Sequence, residues 1–511
     1  SGAAGLLLAL HCAEQGQQVT IATKGTIEES NTAWAQGGVA ASLDLEEDST
    51  ASHLADTLAA GAGLVNEAAA ELIAAEAPRR IAELQKLGVA FNLGLNGDLA
   101  LTREAAHSHA RTVFSGDATG RAISTTLAQR ALHHPRVRVL ERAIVQQLIV
   151  DDDRCAGAWV LVDGTEVAVR ARATALATGG IGQVYARTTN PAGATGDGLK
   201  LAIDAGAALA DIEFVQFHPT ALAIAGAPAL LVSEAARGEG GILINDAGER
   251  FCQGVDPRSE LAPRDVVARA IFQQIHESPQ SNVWLDLRPI GTAGHIRERF
   301  PNIAAACARF GVDIGTMPIP VAPAAHYHMG GVWTDLSGRT ALAALYAVGE
   351  CACTGLHGAN RLAGNSLAEC LVMASRAAED MQSLAHSAPA AARDDANLAP
   401  VVETLAEPDA LRTLMWQAAS VERNGPQLST LVERLTSWPL ALAAPSRHAL
   451  ECAALLNVAR YIAAAASIRC ESRGAHYRID FPRRDDVRWR VRILWSHAGE
   501  REEPVAAAAV G

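Results

Sequence analysis

The chain of 511 residues is 49% hydrophobic and 19% charged, a composition that excludes disordered and fibrous proteins, and its length suits two or three globular domains. Asp and Glu outnumber Lys and Arg by 56 to 43, and the net charge of −13 makes nucleic acid and anionic membranes poor partners. No apolar run approaches the roughly 20 residues that a bilayer requires, so we expect no membrane partner.

Nine cysteines are scattered along the chain. Only Cys351 and Cys353 lie close together, and this C-x-C lacks the second pair that a zinc or iron–sulfur site needs. We therefore expect no metal site. An odd number of cysteines without a disulfide framework indicates reduced thiols and a cytoplasmic location.

The chain begins with a glycine-rich turn, Ser1–Gly5, followed by the apolar segment Leu6–Leu10 and the strand-like segment Val19–Ala22. This order is typical of a βαβ unit, and we expect its first strand, a central one in a doubly wound sheet, to precede Ser1. Glycines in such a turn let the backbone approach a pyrophosphate, and the helix N-terminus supplies N–H donors. The partial motif is weak evidence alone. Thr23-Lys24 at the strand end, in place of Asp or Glu, disfavours a plain NAD site.

Apolar spacing predicts a helix over Asn66–Leu87 that ends at Gly88. Short β-type runs between Val137 and Leu176 predict a β-meander, with separate strands at Ala143–Val145 and Leu148–Val150. The meander leads into a buried strand that ends in the small residues Gly179-Gly180, which suits a strand that brings backbone close to a ligand.

Residues from about 212 to 325 resemble an inserted domain, because Pro, Gly and isolated charges interrupt the apolar pattern. A strand and glycine signal returns at Leu345–Glu350. A linker rich in Ala, Pro and Asp is predicted at Ser387–Pro400, and helical spacing recurs over Leu411–Leu435 and His448–Ile468. The C-terminal part is therefore predicted to be a helical bundle.

Four glycine-containing motifs follow one another in order: Ser30–Ala41, Thr195–Gly198, Tyr346–Glu350 and Gly358–Leu367. Together they resemble the flavoprotein family of succinate dehydrogenase, fumarate reductase and L-aspartate oxidase. The segments that are most similar to the L-aspartate oxidase branch are His107–His109, Phe217–Thr220, Ser233–Gly241, Leu261–Asp265 and Glu471–Tyr477.

This resemblance implies an α/β fold in which a Rossmann-like FAD-binding domain carries an inserted α+β capping domain and is followed by the helical bundle. The FAD-binding domain would comprise residues 1–211 and 328–395, the capping domain 212–327 and the helical domain 396–511. A hinged cap would exclude water and hold the substrate against the flavin.

The resemblance also implies that FAD is the cofactor, and it assigns three sets of residues to contacts with FAD. Ser1, Gly2, Ala3 and Ala4 would cradle the pyrophosphate. The residues that would wrap the adenosine-ribityl part and the ring are Lys24, Asn31, Thr32, Ala35, Gln36, Gly37 and Gly38. Those that would hydrogen-bond sugar hydroxyls or present N–H groups to the ring are Asp197, Glu350, Ser366 and Leu367. From the residues alone, a helix cap for Asp197 and a satisfied strand-end carboxylate for Glu350 stay open.

One position in the first motif predicts how the flavin is held. The membrane-bound members of the family carry a His in this run that is covalently attached to the flavin. Asn31 stands at the corresponding place here, and its amide is not a nucleophile. We therefore expect FAD to be bound non-covalently.

The substrate residues follow from the same resemblance. The positions that it assigns to the carboxylate ends of a dicarboxylate and to their neighbours are His218, His326, Arg361, Ser233 and Glu234. Arg forks bind carboxylates bidentately. A lone His is more often structural among the 16 of this chain, so the two histidines depend on their motif context, and His328 is expected to be incidental.

Arg264 aligns with the acid/base arginine of the family, and Glu104 with a carboxylate that faces the α-amino group of aspartate, which would favour an ammonium-bearing dicarboxylate. Arg normally stays protonated, so Arg264 suits a proton donor in fumarate reduction, whereas aspartate oxidation would need a relay or a deprotonated amine. A surface salt bridge with Asp265 is the alternative for Arg264, and an exposed loop position is the alternative for Glu104.

The implied activity is FAD-dependent oxidation of L-aspartate to iminoaspartate with oxygen or fumarate as electron acceptor. In the family this is the first step of de novo NAD biosynthesis and supplies quinolinate synthase. Two alternatives stay open: a soluble fumarate reductase or succinate oxidase of the same family, and an inactive flavoprotein-like scaffold if the strand before Ser1 is truly absent.

Overall fold

The computed structural model describes residues 1–224, 226–277, 281–384, 398, 400–404, 407–496 and 499–505. Three large apolar clusters form the core of these residues. One packs around the N-terminal helix, one joins the meander to the C-terminal helices, and the third consists of residues between Leu222 and Val321. The last cluster gives the inserted section a core of its own.

The N-terminal section contains five helices and four short strands. In chain order they are α1 (Ala3–Glu14), β1 (Val19–Ala22), α2 (Asn31–Trp34), β2 (Val39–Ala40), α3 (Thr50–Ala60), α4 (Glu67–Leu87), β3 (Leu101–Thr102), β4 (Thr112–Val113) and α5 (Thr119–His133). Helix α4 begins one residue after the predicted Asn66, which is its N-cap, and ends as predicted before Gly88, whose φ of 104° is left-handed, the conformation that glycine adopts without strain.

The meander follows, as β5 (Val137–Leu140), β6 (Ala143–Asp151), β7 (Arg154–Val162), β8 (Thr165–Arg170) and β9 (Thr174–Leu176). The prediction of two strands at 143–145 and 148–150 is wrong: they form the single strand β6, because register shifts in its pairing with β7 accommodate the polar residues between them. Strand β5 pairs in parallel with β1. Helix α6 (Asp197–Asp204) and strand β10 (Leu209–Ala210) complete this section.

The inserted section is a four-stranded antiparallel sheet with helices. Its elements are β11 (Val215–Leu222), α7 (Glu234–Gly238), β12 (Ile242–Ile244), α8 (Arg264–Glu277), β13 (Val283–Asp286), α9 (Ala293–Arg299), α10 (Pro301–Ala308) and β14 (Ile319–His328), with sheet order β11-β14-β13-β12.

The pairing of β11 with β14 is irregular where the site histidines lie. Gln216 faces Tyr327 and Phe217 faces Ala325, so His326 is the extra residue of a bulge on β14. A second shift lies just after His218 on β11, where the following proline has no N–H to donate. Bulges redirect side chains, and these two turn both histidines toward the cavity described below.

The chain then returns to the first section through β15 (Gly331–Trp333), β16 (Leu345–Ala347), β17 (Ala352–Cys353) and α11 (Asn365–Leu384). The predicted strand at Leu345 is confirmed as β16, which pairs in parallel with β9. The loop between β17 and α11 carries the last glycine-rich motif.

The C-terminal section comprises β18 (Val401–Thr404), α12 (Pro408–Ala419), α13 (Gly425–Thr436), β19 (Leu440–Ala443), α14 (Arg447–Ile468), β20 (Val491–Ser496) and β21 (Gly499–Pro504). Its helices were predicted, whereas its four strands were not; β20 pairs with β10, a partner far away along the chain. The predicted linker at 387–400 lies almost wholly outside the described residues. Within those residues, α14 alone is long and apolar enough to span a membrane, and 61% of its most apolar stretch is buried inside the protein.

Candidate active site

One cavity of about 1330 Å³ runs from the start of α1 to the inserted section. Every residue that the sequence assigns to cofactor or substrate lines it. The structure thus brings together segments that are separated by more than 300 residues along the chain, and the individual roles remain predictions. No group of three or more His, Cys, Asp or Glu that could hold a metal ion occurs in the described ranges.

The start of α1 forms one end of the cavity and has the features of a phosphate site. Gly2 is the N-cap of α1, and the backbone N–H of Ala3 donates to Oγ1 of Thr32 over 3.0 Å. The first N–H groups of a helix have no intrahelical acceptor and carry partial positive charge. Gly349, with φ of 72°, packs against this turn so closely that a Cβ there would lie 2.9 Å from Cβ of Ala4. Because Gly2, Ala4 and Gly349 have small side chains or none, the start of α1 leaves room for a bound phosphate group.

Lys24 and Asp197, which the sequence assigns separately to the cofactor, contact each other. Nζ of Lys24 pairs with the Asp197 carboxylate, donates to Oγ1 of Thr195 over 2.5 Å and lies 3.1 Å from Oε1 of Glu451. Glu451 belongs to α14, so the C-terminal section helps to hold the wall of the cavity at this point.

Glu350 lies in the middle of the cavity wall. Its Oε2 accepts from Nδ2 of Asn31 over 3.1 Å, and its Oε1 accepts from the backbone N–H of His328 over 3.1 Å. Burial raises the pKa of Glu350 to about 7. Gly180 leaves space for the carboxylate, because a Cβ at that position would lie 2.2 Å from Oε1. Because its Nδ2 donates to Glu350, the side-chain amide of Asn31 already has a hydrogen-bond partner.

Two buried histidines lie at the far end of the cavity, under the inserted section. The rings of His218 and His326 meet edge to face, with centroids 5.0 Å apart. Burial and the nearby Arg264 charge hold both pKa values well below 6.5, so both rings are neutral. The backbone N–H of Thr220 donates to Nδ1 of His218 over 3.2 Å, and the ring proton therefore lies on Nε2.

Several polar atoms at this end have no hydrogen-bond partner among the described residues. They include Nε2 of His218, Nε of Arg361 and Oε1 of Gln36. Buried polar groups are normally hydrogen-bonded, so orphaned donors and an acceptor on residues that line the cavity indicate a site that binds a polar ligand. This observation, together with the glycine-lined helix start, fits a dinucleotide cofactor and an anionic substrate.

The two arginines of the site are held by a common partner. Oε1 of Gln216 accepts from Nη1 of Arg264 over 3.0 Å and from Nη2 of Arg361 over 3.3 Å. Arg361 also donates to Oγ of Ser366 over 2.7 Å and lies over the ring of Tyr327, 4.6 Å from its centroid. Burial and the charge of Arg264 lower the pKa of Arg361 to about 10. Sequence reasoning missed Gln216, although it lies two residues before His218 on the same face of β11.

Arg264 is the first residue of α8 and is nearly buried. Its Nε donates to Oε2 of Glu234 over 2.5 Å, and Nη2 of Arg237 lies 3.7 Å from the same oxygen. The alternative of a salt bridge with Asp265 is wrong, because Asp265 pairs with Arg269. Ser233 is the N-cap of α7 and its Oγ accepts from the backbone N–H of Ala235.

Glu104 approaches this group from the N-terminal section. It is 4% exposed, which rules out the alternative of an exposed loop residue. The backbone N–H of Gly38 lies 3.5 Å from its Oε1. Burial and the neighbouring charge of Glu234 raise the pKa of Glu104 to about 7. Since the histidines are neutral, the charged groups that line this end of the cavity are the guanidinium groups of Arg264 and Arg361 and the carboxyl groups of Glu104 and Glu234.

Comparisons with known proteins agree with this geometry. Residues 1–367 match the family model of an FAD binding domain, and residues 408–509 match that of the fumarate reductase flavoprotein C-terminus. The chain is 42% identical to the L-aspartate oxidase of Nostoc sp. over 97% of this chain and 92% of the relative. It is 41% identical to that of Xylella fastidiosa over 99% and 97%, and 44% identical to that of Mesorhizobium japonicum over 95% and 91%.

Among solved structures, an E. coli quinol fumarate reductase FrdA variant superposes with a TM-score of 0.91 at 31% identity, covering 100% of this chain and 96% of that one. Mycobacterium smegmatis Sdh1 gives a TM-score of 0.84 at 32% identity, covering 99% and 93%. These matches confirm the predicted fold class and the predicted FAD cofactor.

Proposed function

We infer the function of this chain from two premises: the chain belongs to the L-aspartate oxidase family of FAD-binding flavoproteins, and a single cavity gathers its predicted cofactor and substrate residues. The protein is an FAD-dependent oxidoreductase, and the activity that its relatives support is the oxidation of L-aspartate, which belongs to NAD biosynthesis. The assignment of individual residues, of the electron acceptor and of the product's route is our proposal.

The proposal is supported by two unpaired donors among the residues that line the cavity. Nε2–H of His218 and Nε–H of Arg361 have no partner among the described residues, and both side chains line the cavity together with His326 and Ser233. These groups would bind the two carboxylates of a four-carbon dicarboxylate, since guanidinium groups and neutral N–H donors both suit carboxylate oxygens. Glu104, which also lines the cavity, would bind the ammonium group of aspartate.

We assign FAD to the rest of the cavity, with the pyrophosphate at the start of α1 and the ring at the first turn of α11, where Ser366 and Leu367 line the wall. FAD, when bound, supplies the acceptor for the hydride that leaves Cα of the substrate. The bound form is proposed to be non-covalent, and the support is that Asn31 hydrogen-bonds Glu350 through an amide that is not a nucleophile.

Proton transfer is assigned to Arg264 in the proposed mechanism. Oxidation to the imine also removes a proton from the substrate nitrogen, and a guanidinium group needs a partner to pass it on. Glu234, whose Oε2 lies 2.5 Å from Nε of Arg264, would take a proton from Arg264 as Arg264 takes one from the substrate nitrogen, and the charge of Arg237, 3.7 Å from the same oxygen, helps to keep Glu234 ionised and able to accept. Glu104, with its pKa near 7, is the group that selects the ammonium-bearing substrate.

Oxygen or fumarate is proposed to reoxidise the enzyme, and the iminoaspartate product is proposed to pass to quinolinate synthase. A cytoplasmic location is part of the same proposal, and its support is that the nine cysteines, all within the described residues and most of them buried, form no disulfide.

A fumarate reductase or succinate oxidase is the second candidate. It is favoured by the close superposition on quinol fumarate reductase and by the cationic form of Arg264, which suits a proton donor to a reduced substrate. Turnover of L-aspartate, succinate and fumarate by the purified protein, measured side by side, separates the two candidates: activity with succinate alone would refute the aspartate assignment.

An absorption spectrum without flavin bands, even after addition of FAD, would favour an inactive scaffold instead.

A further inference from the structure

A chain of buried hydrogen bonds runs behind the cavity and has no part in the mechanism above. Arg111 is fully buried and forms a bidentate pair with Asp48, with Nε–Oδ2 at 2.9 Å and Nη2–Oδ1 at 2.8 Å. Its Nη1 binds Oδ2 of Asp56 at 2.6 Å and also lies 3.1 Å from Nδ1 of His107. Two carboxylates therefore fix the guanidinium that contacts the imidazole.

This contact determines the tautomer of His107. A guanidinium group has no acceptor atom, so Nδ1 of His107 accepts the hydrogen bond and the ring proton lies on Nε2. Burial lowers the pKa of His107 to about 4, and the ring is therefore neutral near pH 7. Nε2–H donates to the backbone carbonyl of Ala363 over 2.9 Å.

Ala363 belongs to the loop that leads into α11, and this loop is fixed at further points. The carbonyl of Gly364 accepts from the backbone N–H of Ala40, and Oδ1 of Asn365 accepts from Nε2 of His53 over 2.7 Å. Gly364 has φ of 76°, and a Cβ there would lie 2.8 Å from Cβ of Ala40. The loop therefore packs tightly against its neighbours.

The first turn of α11 comes directly after this loop and lines the cavity. Its N–H groups have no intrahelical acceptor and carry partial positive charge. Ser366 in the same turn accepts a hydrogen bond from Arg361, and the backbone N–H of His107 lies 3.3 Å from the carbonyl of Glu104. His107 thus connects the two turns, because its backbone N–H contacts Glu104 and its imidazole contacts Ala363, just before the turn whose Ser366 accepts from Arg361.

We propose that His107, oriented by Arg111, is a positioning residue whose Nε2–H fixes the Ala363 carbonyl and with it the first turn of α11. The proposal rests on the proposed function, which places the FAD ring at this turn. Fixed N–H donors stabilise the negative charge that the ring gains on reduction. Loss of the His107 contact therefore lowers the midpoint potential of bound FAD and, through Ser366 and Arg361, weakens substrate binding.

The test compares three variants of the full chain, each loaded with FAD: His107→Leu, His107→Gln and His109→Leu. Leu removes the donor, Gln keeps an N–H at similar reach, and His109 offers the same substitution two residues away. We expect His107→Leu to bind reduced FAD about tenfold less favourably relative to oxidised FAD, which lowers the two-electron midpoint potential by about 30 mV. Its KM for L-aspartate rises, His107→Gln restores most of both values, and His109→Leu matches the wild type.

A folded His107→Leu protein with unchanged potential and unchanged KM would overturn the proposal. If that variant does not fold, ring ¹⁵N chemical shifts of His107 in the wild type decide: a neutral ring protonated at Nε2 across the neutral pH range supports the proposal, and one protonated at Nδ1 or titrating like a free histidine overturns it. A wild-type protein that takes up FAD but is not reduced by L-aspartate would refute the proposed function, and the measured potentials of the variants would still test His107.

Discussion

Nε of Arg264 donates to Oε2 of Glu234 over 2.5 Å, and both residues stand at the first turn of a helix, Arg264 on α8 and Glu234 on α7. A cation at a helix N-terminus is electrostatically unfavourable, whereas a carboxylate there is favourable. The ion pair with Glu234 offsets this cost and holds the Arg264 guanidinium at the cavity.

Replacing the proposed proton-transfer arginine is the first prediction. Arg264→Leu lowers turnover of L-aspartate by about 100-fold or more, because a positioned acid or base typically contributes that factor. FAD stays bound, since Arg264 lies at the substrate end of the cavity. The matched control is Arg297→Leu on α9, a surface residue that pairs with Asp313. Unchanged turnover in Arg264→Leu would show that the proton route lies elsewhere.

Gln216 provides a second prediction, because its one amide oxygen serves both arginines. Gln216→Leu leaves two buried guanidinium groups short of an acceptor, and hydrogen bonds to charged groups contribute about 1.5–3 kcal/mol. We expect kcat/KM for L-aspartate to fall about 10- to 150-fold. Gln273→Leu, at an exposed position of α8, is the control. Equal kinetics in the two variants would mean that Gln216 only fills space.

The raised pKa of Glu104 predicts how aspartate binding depends on pH. Above a pH of about 7 the carboxyl group is ionised and pairs with the substrate ammonium; below it the group is neutral and the attraction is lost. The value of kcat/KM for L-aspartate therefore rises with pH through about 7. Glu104→Gln removes this step and lowers the preference for L-aspartate over succinate, whereas the exposed control Glu166→Gln keeps both. A step that persists in Glu104→Gln would assign it to another group.

A substitution at Gly180 tests the cofactor wall without replacing a polar side chain. Gly180→Ala would place a Cβ 2.2 Å from Oε1 of Glu350, so the carboxyl group must move away from Asn31 and His328. We expect the dissociation constant for FAD to rise about tenfold, or ~1.4 kcal/mol. Gly254→Ala is the matched control, because a Cβ there meets nothing within 4 Å. Titration of the apoprotein with FAD measures both, and equal affinities would remove Glu350 from the cofactor site.

Local signals in the sequence were enough for the parts of the fold that local chemistry determines. The end of α4 at Gly88 needs a left-handed residue, and the glycine-rich motifs supply the small residues that line the cavity. The strands β20 and β21 were missed because β20 pairs with β10, and such a long-range partner leaves no trace in local spacing.

The site was predicted through motifs, and its missed members are those without one. In the sequence, Gln216 looks like a residue that only packs in the core, because Arg264 and Arg361, which it contacts, come from distant segments. The ion pair of Lys24 with Asp197 could not be predicted from the sequence either, because a contact between residues so far apart in the chain depends on the fold. Sequence alone assigned each of them to the cofactor and could not show that they hold each other.

Anaerobic reduction of the FAD-loaded protein by its substrate tests the proposed aspartate oxidation. We expect L-aspartate to bleach the visible band of oxidised flavin and to yield an equal amount of iminoaspartate, while the same concentration of succinate leaves the band nearly unchanged. Bleaching by succinate together with none by L-aspartate would contradict it.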